Sequence, residues 1–192
     1  LFLDELPEFD RKVLEVLRQP LESQEIVISR VARQMTFPAQ FQLVAAMNPC
    51  PCGYAFNQDI RCQCSPDAIK RYQNRISGPL LDRIDLHVEV PTLPPEALLA
   101  TPPGEPTDAI RARCTAARER AIARQGSPNQ ALQGQQIDEH AALDAAALQF
   151  LNTAAARLGW SARATHRALK VARTIADLAG SELTTTAHVA EA

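Results

Sequence analysis

The chain has 192 residues, 46% of them apolar and 22% charged, with a formal net charge of −2. Such a length supports one large domain or a core with a smaller companion, and no apolar run nears the roughly 20 residues of a membrane span. The slight negative charge provides no general attraction for nucleic acid, so any contact with DNA has to come from a local basic patch or from assembly. Five cysteines in a chain that opens without a leader-like segment favour a reducing, cytoplasmic setting, where clustered thiols bind metal more often than they form disulfides.

Leu1 to Leu3 is apolar and runs straight into Asp4 and Glu5, the pattern of a buried parallel strand whose carboxyl end opens into a site. With leucine at position 1, this strand reads as cut open, and Ala187 to Ala192 breaks off inside a helical pattern, so truncation is expected at both ends. Val13, Leu14 and Leu17 predict a helix over 10–17, with Asp10 as N-cap and Pro20 as stop. Residues 25–31 and 34–37 predict a hairpin with Arg33 near its tip, and 41–47 predict a central strand covered on both faces. A cysteine-bearing loop to Ser65, a helix over about 66–75 and a last strand over 84–90 complete a first body, residues 1–92.

Between Pro91 and Pro106 there are six prolines, so 93–106 reads as a linker. Helices are expected over 107–125, 139–158, 161–179 and from 185 onward, with Gly126, Gly159 and Gly180 as stops. Trp160 and the apolar stripe from Ala141 to Leu158 read as core of this second, all-helical body, 107–192, and Cys114 as a packing residue. His87, His140, His166 and His188 show no ligand spacing.

Two adjacent acids ending an apolar strand suit magnesium-dependent nucleotide hydrolysis, one carboxylate holding the ion through water and the next polarising the attacking water. A solvated acidic pair is the bland alternative for Asp4 and Glu5. Cys50, Cys52, Cys62 and Cys64 form two Cys-x-Cys pairs separated by nine residues. Four thiolates suit a closed structural zinc site, although such sites more often space their pairs by two residues; free thiols or labile disulfides are the alternatives.

The stretches LFLDELPEF, LVAAMNPCPCGY, ISGPLLDRIDLHVEVP and SARATHRALKVARTIADL, in that order, resemble the magnesium-chelatase-like AAA+ ATPases of the ComM or YifB type. The resemblance runs from residue 1 to about residue 178. It implies an α/β fold: the C-terminal part of an AAA+ P-loop ATPase core followed by an all-α lid domain. It also implies that Asp4 and Glu5 are the Walker B acids, Asn48 the sensor-1 residue, Arg83 the arginine finger given to a neighbouring subunit, and Arg163 a sensor-2 arginine contacting ATP from the lid. On the residues alone, Arg83 also fits a local ion pair with Asp82 or Asp85, and Arg163 a solvent-facing arginine.

Arg30 and Arg33 resemble the hairpin that related motors direct at DNA, and they also fit an ordinary charged edge. The implied cofactors are ATP and Mg2+ with a candidate structural Zn2+; the implied partners are DNA and further copies in a hexameric ring. The implied function is an ATP-driven DNA motor of the branch-migration kind serving natural transformation. The alternatives are the ATPase subunit of a metal chelatase and a non-enzymatic zinc-braced interaction module. No GxxxxGK[ST] loop occurs, so the chain by itself is expected to hydrolyse ATP negligibly.

Overall fold

Capping residues and proline placement set most element boundaries in the computed structural model, which describes residues 1–30, 33–55, 62–91, 93, 96 and 102–192. Two compact units result, Leu1–Leu93 and Pro94–Ala192. In the first, β1 (Phe2–Leu3) leads through a 3-10 turn, Leu6–Glu8, into helices α1 (Arg11–Val16) and α2 (Arg18–Ser23). A hairpin of β2 (Glu25–Arg30) and β3 (Arg33–Pro38) follows, then strand β4 (Val44–Ala45) and helices α3 (Pro66–Gln73) and α4 (Gly78–Leu81).

Asp10 caps α1 by accepting from the Lys12 N–H at 2.7 Å, as the sequence predicts. Pro20 does not stop the helical region. The chain turns at Leu17, and Pro20 lies buried in the first turn of α2, where its missing N–H has no intrahelical acceptor to lose. β1 and β4 pair in parallel with Phe2 opposite Val44 and Leu3 opposite Ala45. Leu3 and Ala45 pack onto a core of Leu6, Leu14, Ile76 and Leu80 contributed by the turn, α1, the link between α3 and α4, and α4.

The strand predicted over 41–47 is shorter than expected and is not covered on both faces. Alternation turns Phe2 and Val44 away from that core, and they stay 64% and 50% exposed. The strand predicted over 84–90 does not form among the described residues, because no neighbouring segment there supplies a ladder. Leu86, Val88 and Val90 are 63%, 80% and 87% exposed. The expected hairpin forms, with Glu25 opposite Pro38 and its last pair Arg30 opposite Arg33; its tip, 31–32, lies outside the described residues, as do 56–61 of the cysteine-bearing loop and most of 92–101.

The second unit is helical: α5 (Thr107–Gln125), a 3-10 turn at Asn129–Ala131, α6 (Gln135–Ala141), α7 (Ala145–Leu158), α8 (Ala162–Leu178) and α9 (Thr186–Glu191). Gly126, Gly159 and Gly180 take left-handed backbone angles just past α5, α7 and α8. The helix predicted over 139–158 is instead two helices. Ala142 turns left-handed, Leu143 bridges to Thr184, and Asp144 caps α7 by accepting from the Ala147 N–H at 2.7 Å. The Asp144 cap and the long-range bridge to Thr184 together outcompete helix continuation through the alanine-rich stretch.

Leu132, Ile137, Leu151, Leu169 and Val189 form the helical core with Trp160 against it, while Phe150 and Leu158 of the predicted stripe are exposed. Cys114 is exposed and therefore is not a packing residue; α5 turns Ala117 and Ala121 inward instead. His188 is structural, its Nδ1 accepting from the Thr185 N–H at 3.0 Å in a capping box. No helix among the described residues is long and apolar enough to cross a membrane.

Candidate functional site: an acidic strand edge beside a four-cysteine knot

Parallel pairing of β1 with β4 brings both strands to the same carboxyl edge. Asp4 and Glu5 leave from β1 and Asn48 from just beyond β4, and all three are exposed. The register is pinned past the strands, since the Ala46 N–H donates to the Leu3 carbonyl and the Leu6 N–H to the Ala46 carbonyl, both at 2.9 Å. Between those bonds Glu5 adopts a left-handed conformation at φ 51°, which costs a non-glycine residue about 1 kcal/mol or more. Burial of Leu6 and Pro7 on one side and the ladder on the other hold it there. Asp4 Oδ1 accepts from the Glu5 N–H at 2.9 Å, which fixes the first carboxylate at the turn.

Two exposed carboxylates and an amide at one strand edge are oxygen ligands of the kind that magnesium and its water shell accept. Asp4 would hold such an ion, with Glu5 and Asn48 beside it. Sequence reasoning missed the residues behind this edge. Tyr72 of α3 is buried, and burial with the nearby Glu8 and Glu5 charges pushes its pKa up. Arg75 pairs with Glu8 at 3.0 Å, and Gln73 Nε2 donates to the Pro49 carbonyl at 3.3 Å. Glu8, Pro51, Arg71, Tyr72 and Arg75 line an open cleft of about 310 Å³ there.

The four predicted cysteines converge. Their sulfurs all lie within 4.8 Å of one another, with Cys50 to Cys52 at 3.3 Å, Cys52 to Cys62 at 3.6 Å and Cys50 to Cys62 at 3.8 Å. A tetrahedron with metal–sulfur bonds of roughly 2.3 Å sets its sulfurs about 3.8 Å apart, so these thiols fit zinc in donor type and spacing. Hydrogen bonds from the Tyr54 backbone and from Cys50 bring the Cys52 thiol down to about 6, while its bond to Cys52 pushes Cys64 up to about 11. The cluster thus favours one thiolate over several, as four close sulfurs must until a cation shares their charge.

Residues 1–98 match the magnesium chelatase, subunit ChlI, family, and residues 104–192 match its subunit ChlI C-terminal family. The chain belongs to the magnesium-chelatase family. It is 50% identical to competence protein ComM of Haemophilus influenzae over 100% of its length and 38% of the relative's. It is 47% identical to the uncharacterized protein YifB of Escherichia coli, again over 100% of this chain and 38% of the relative. The chain therefore spans well under half the length of these relatives. Magnesium-chelatase membership implies an AAA+ type fold, in keeping with the mixed helix and sheet described above.

The other predicted residues lie on separate elements. Arg83, just past α4, has a side chain only 12% exposed; it pairs with Glu22 of α2 and donates to the Pro79 carbonyl. Glu22 as its acid was not legible in the sequence, which offered Asp82 and Asp85. Arg163 lies exposed in the first turn of α8, in the second unit, after Ser161 caps the helix by accepting from the Ala164 N–H at 3.2 Å. Arg30 and Arg33 are backbone partners at the hairpin end, where Arg33 is exposed. Arg173 is 1% exposed and pairs with Asp177 at 2.9 Å.

Proposed function

We propose that the chain supplies the later part of an ATP-driven, hexameric ring motor acting on DNA in the cytoplasm, of the branch-migration kind, with the helical unit as its lid. The observation that carries this reading is the shared carboxyl edge of Asp4, Glu5 and Asn48 on paired parallel strands. There Asp4 holds the magnesium of bound ATP, Glu5 polarises the attacking water and Asn48 orients it. Arg83 serves the nucleotide of the adjoining subunit, and Arg163 reaches ATP from the lid. Similarity to a protein named for competence supports a DNA motor over a chelatase subunit. The test is ATP turnover by the full-length protein with branched DNA, set against turnover with a tetrapyrrole-chelatase partner. Stimulation by the partner alone would transfer the assignment to the chelatase.

On this reading the hairpin end contacts the phosphate backbone. Replacing Arg30 and Arg33 by alanine should weaken DNA binding regardless of sequence and flatten the salt dependence of log K by roughly 0.7–0.9 per lost contact. An unchanged slope in binding titrations across salt would return the hairpin to an ordinary charged edge. The four-cysteine knot holds a structural zinc. Protein purified under reduction should carry about one zinc per chain and Cys50→Ser should carry none, as read by elemental analysis. Metal-free wild-type protein would show the cysteines to be plain thiols.

A further inference from the structure

The hairpin of the first unit has two unlike faces. Its root is pinned where the Ala39 N–H donates to the Gln24 carbonyl at 2.7 Å, and from there the register sets Ile26 opposite Phe37 and Ile28 opposite Met35. Directly opposed residues of an antiparallel pair share a face, and alternation returns to that face at every second residue. Four large apolar side chains therefore stand together on one side, and Arg33 continues that side at the hairpin end. Ser29, Gln34 and Thr36 take the other. The apolar side stays open: Ile26, Ile28, Met35 and Phe37 are 40%, 47%, 54% and 42% exposed, and every residue of β3 is exposed.

Two strands alone are marginally stable in water, so covering this open apolar face stabilises the hairpin. A ligand here has to offer apolar surface to Phe37 and its neighbours and negative charge to the arginine end. The bases and phosphates of a single DNA strand do both, since aromatic side chains stack on bases of any sequence. A duplex offers the face only base edges, its rings being stacked inside. A second copy of the chain fits less well. The patch amounts to a few hundred Å², below the roughly 800 Å² that each partner of a standard interface buries, and rotation about a ring axis sets like arginine ends side by side. We propose that this face of the hairpin takes the bases of an unpaired DNA strand, with Phe37 as the stacking residue. The proposal rests on the phosphate contact at Arg30 and Arg33 put forward above, and makes single-stranded DNA the form that the hairpin holds.

The experiment measures binding of the full-length protein to an oligothymidine and to a DNA duplex of equal length. Phe37→Ala should weaken binding to the single strand about tenfold, the size of one lost base stack, and leave duplex binding within about twofold. The salt dependence of log K should not change, since no phosphate contact is removed. Phe37→Trp should match or exceed the wild-type affinity, and Ile28→Thr, which keeps strand propensity, should lose severalfold on the single strand. Wild-type affinity of Phe37→Ala for the oligothymidine overturns the proposal, and so does an equal loss on both probes. A loss that comes with dissociation of the assembly in sedimentation gives the face to a contact between copies and overturns it too. Wild-type protein that binds neither probe sinks the hairpin contact put forward above, and this proposal with it.

Discussion

Arg83→Ala in the full-length protein should lower steady-state ATP turnover by about 10³-fold or more, with little change in nucleotide affinity. The expectation rests on how the side chain is held. A surface arginine in a simple ion pair contributes at most about 1 kcal/mol and keeps its freedom. Arg83 instead has its side chain largely buried, one nitrogen on Glu22, another on the Pro79 carbonyl, and a buried Nε without a hydrogen-bond partner. Such a guanidinium is already ordered, so little entropy is lost when it meets a phosphoryl group. Arg83→Lys should fail nearly as badly, because an ammonium cannot reproduce the planar fork. If Arg83 only ties α2 to α4, both variants would lose a little melting temperature and keep their turnover.

Asp177→Ala should destabilise the helical unit by about 3–5 kcal/mol, because it strands a buried cation. Arg173 and Asp177 are each 1% exposed, and Arg173 also donates to the Glu182 and Ser181 carbonyls. Asp177 accepts from Arg124 at 2.7 and 2.9 Å and from Asn129 at 2.8 Å, so one carboxylate joins α5, the 3-10 turn and α8. For a unit of this size the loss corresponds to a fall of roughly 10 °C or more in melting temperature. Arg173→Met with Asp177→Leu should recover only part of it, since the apolar pair removes the buried cation but still leaves Arg124 without its carboxylate.

The same carboxyl sets a pH dependence. Burial pushes its pKa up, but hydrogen bonds from Arg124 and Asn129 and the Arg173 charge outweigh that and hold it below the usual carboxylate value. The stabilisation is complete above the unfolded aspartate value of about 3.9 and fades as pH falls from there through the lower folded value. Asp177→Ala should remove that part of the acid dependence in thermal melts from pH 7 to pH 2.

Much of the site could be read from residue order because its signals are local. Acids ending an apolar run and two close cysteine pairs each declare themselves within a few residues, and capping by Asp10, Ser65 and Ser161 is equally local. The misread elements depended on what lies alongside. Periodicity cannot show that 84–90 lacks a partner strand, nor that one face of β1 and β4 stays bare. Leu143 pairing with Thr184, forty-one positions away, broke a helix that alanine content favoured. Glu22 and Arg75 escaped notice because their roles exist only through contacts with Arg83 and Glu8, far off in sequence.

The central claim is that Asp4, Glu5 and Asn48 of one subunit share a nucleotide with Arg83 of the next. Full-length Glu5→Gln and Arg83→Ala proteins, each deficient alone, should regain turnover when co-assembled, because about a quarter of randomly formed junctions then join an intact acid to an intact arginine. Co-assembled rings no more active than the separate variants would contradict it.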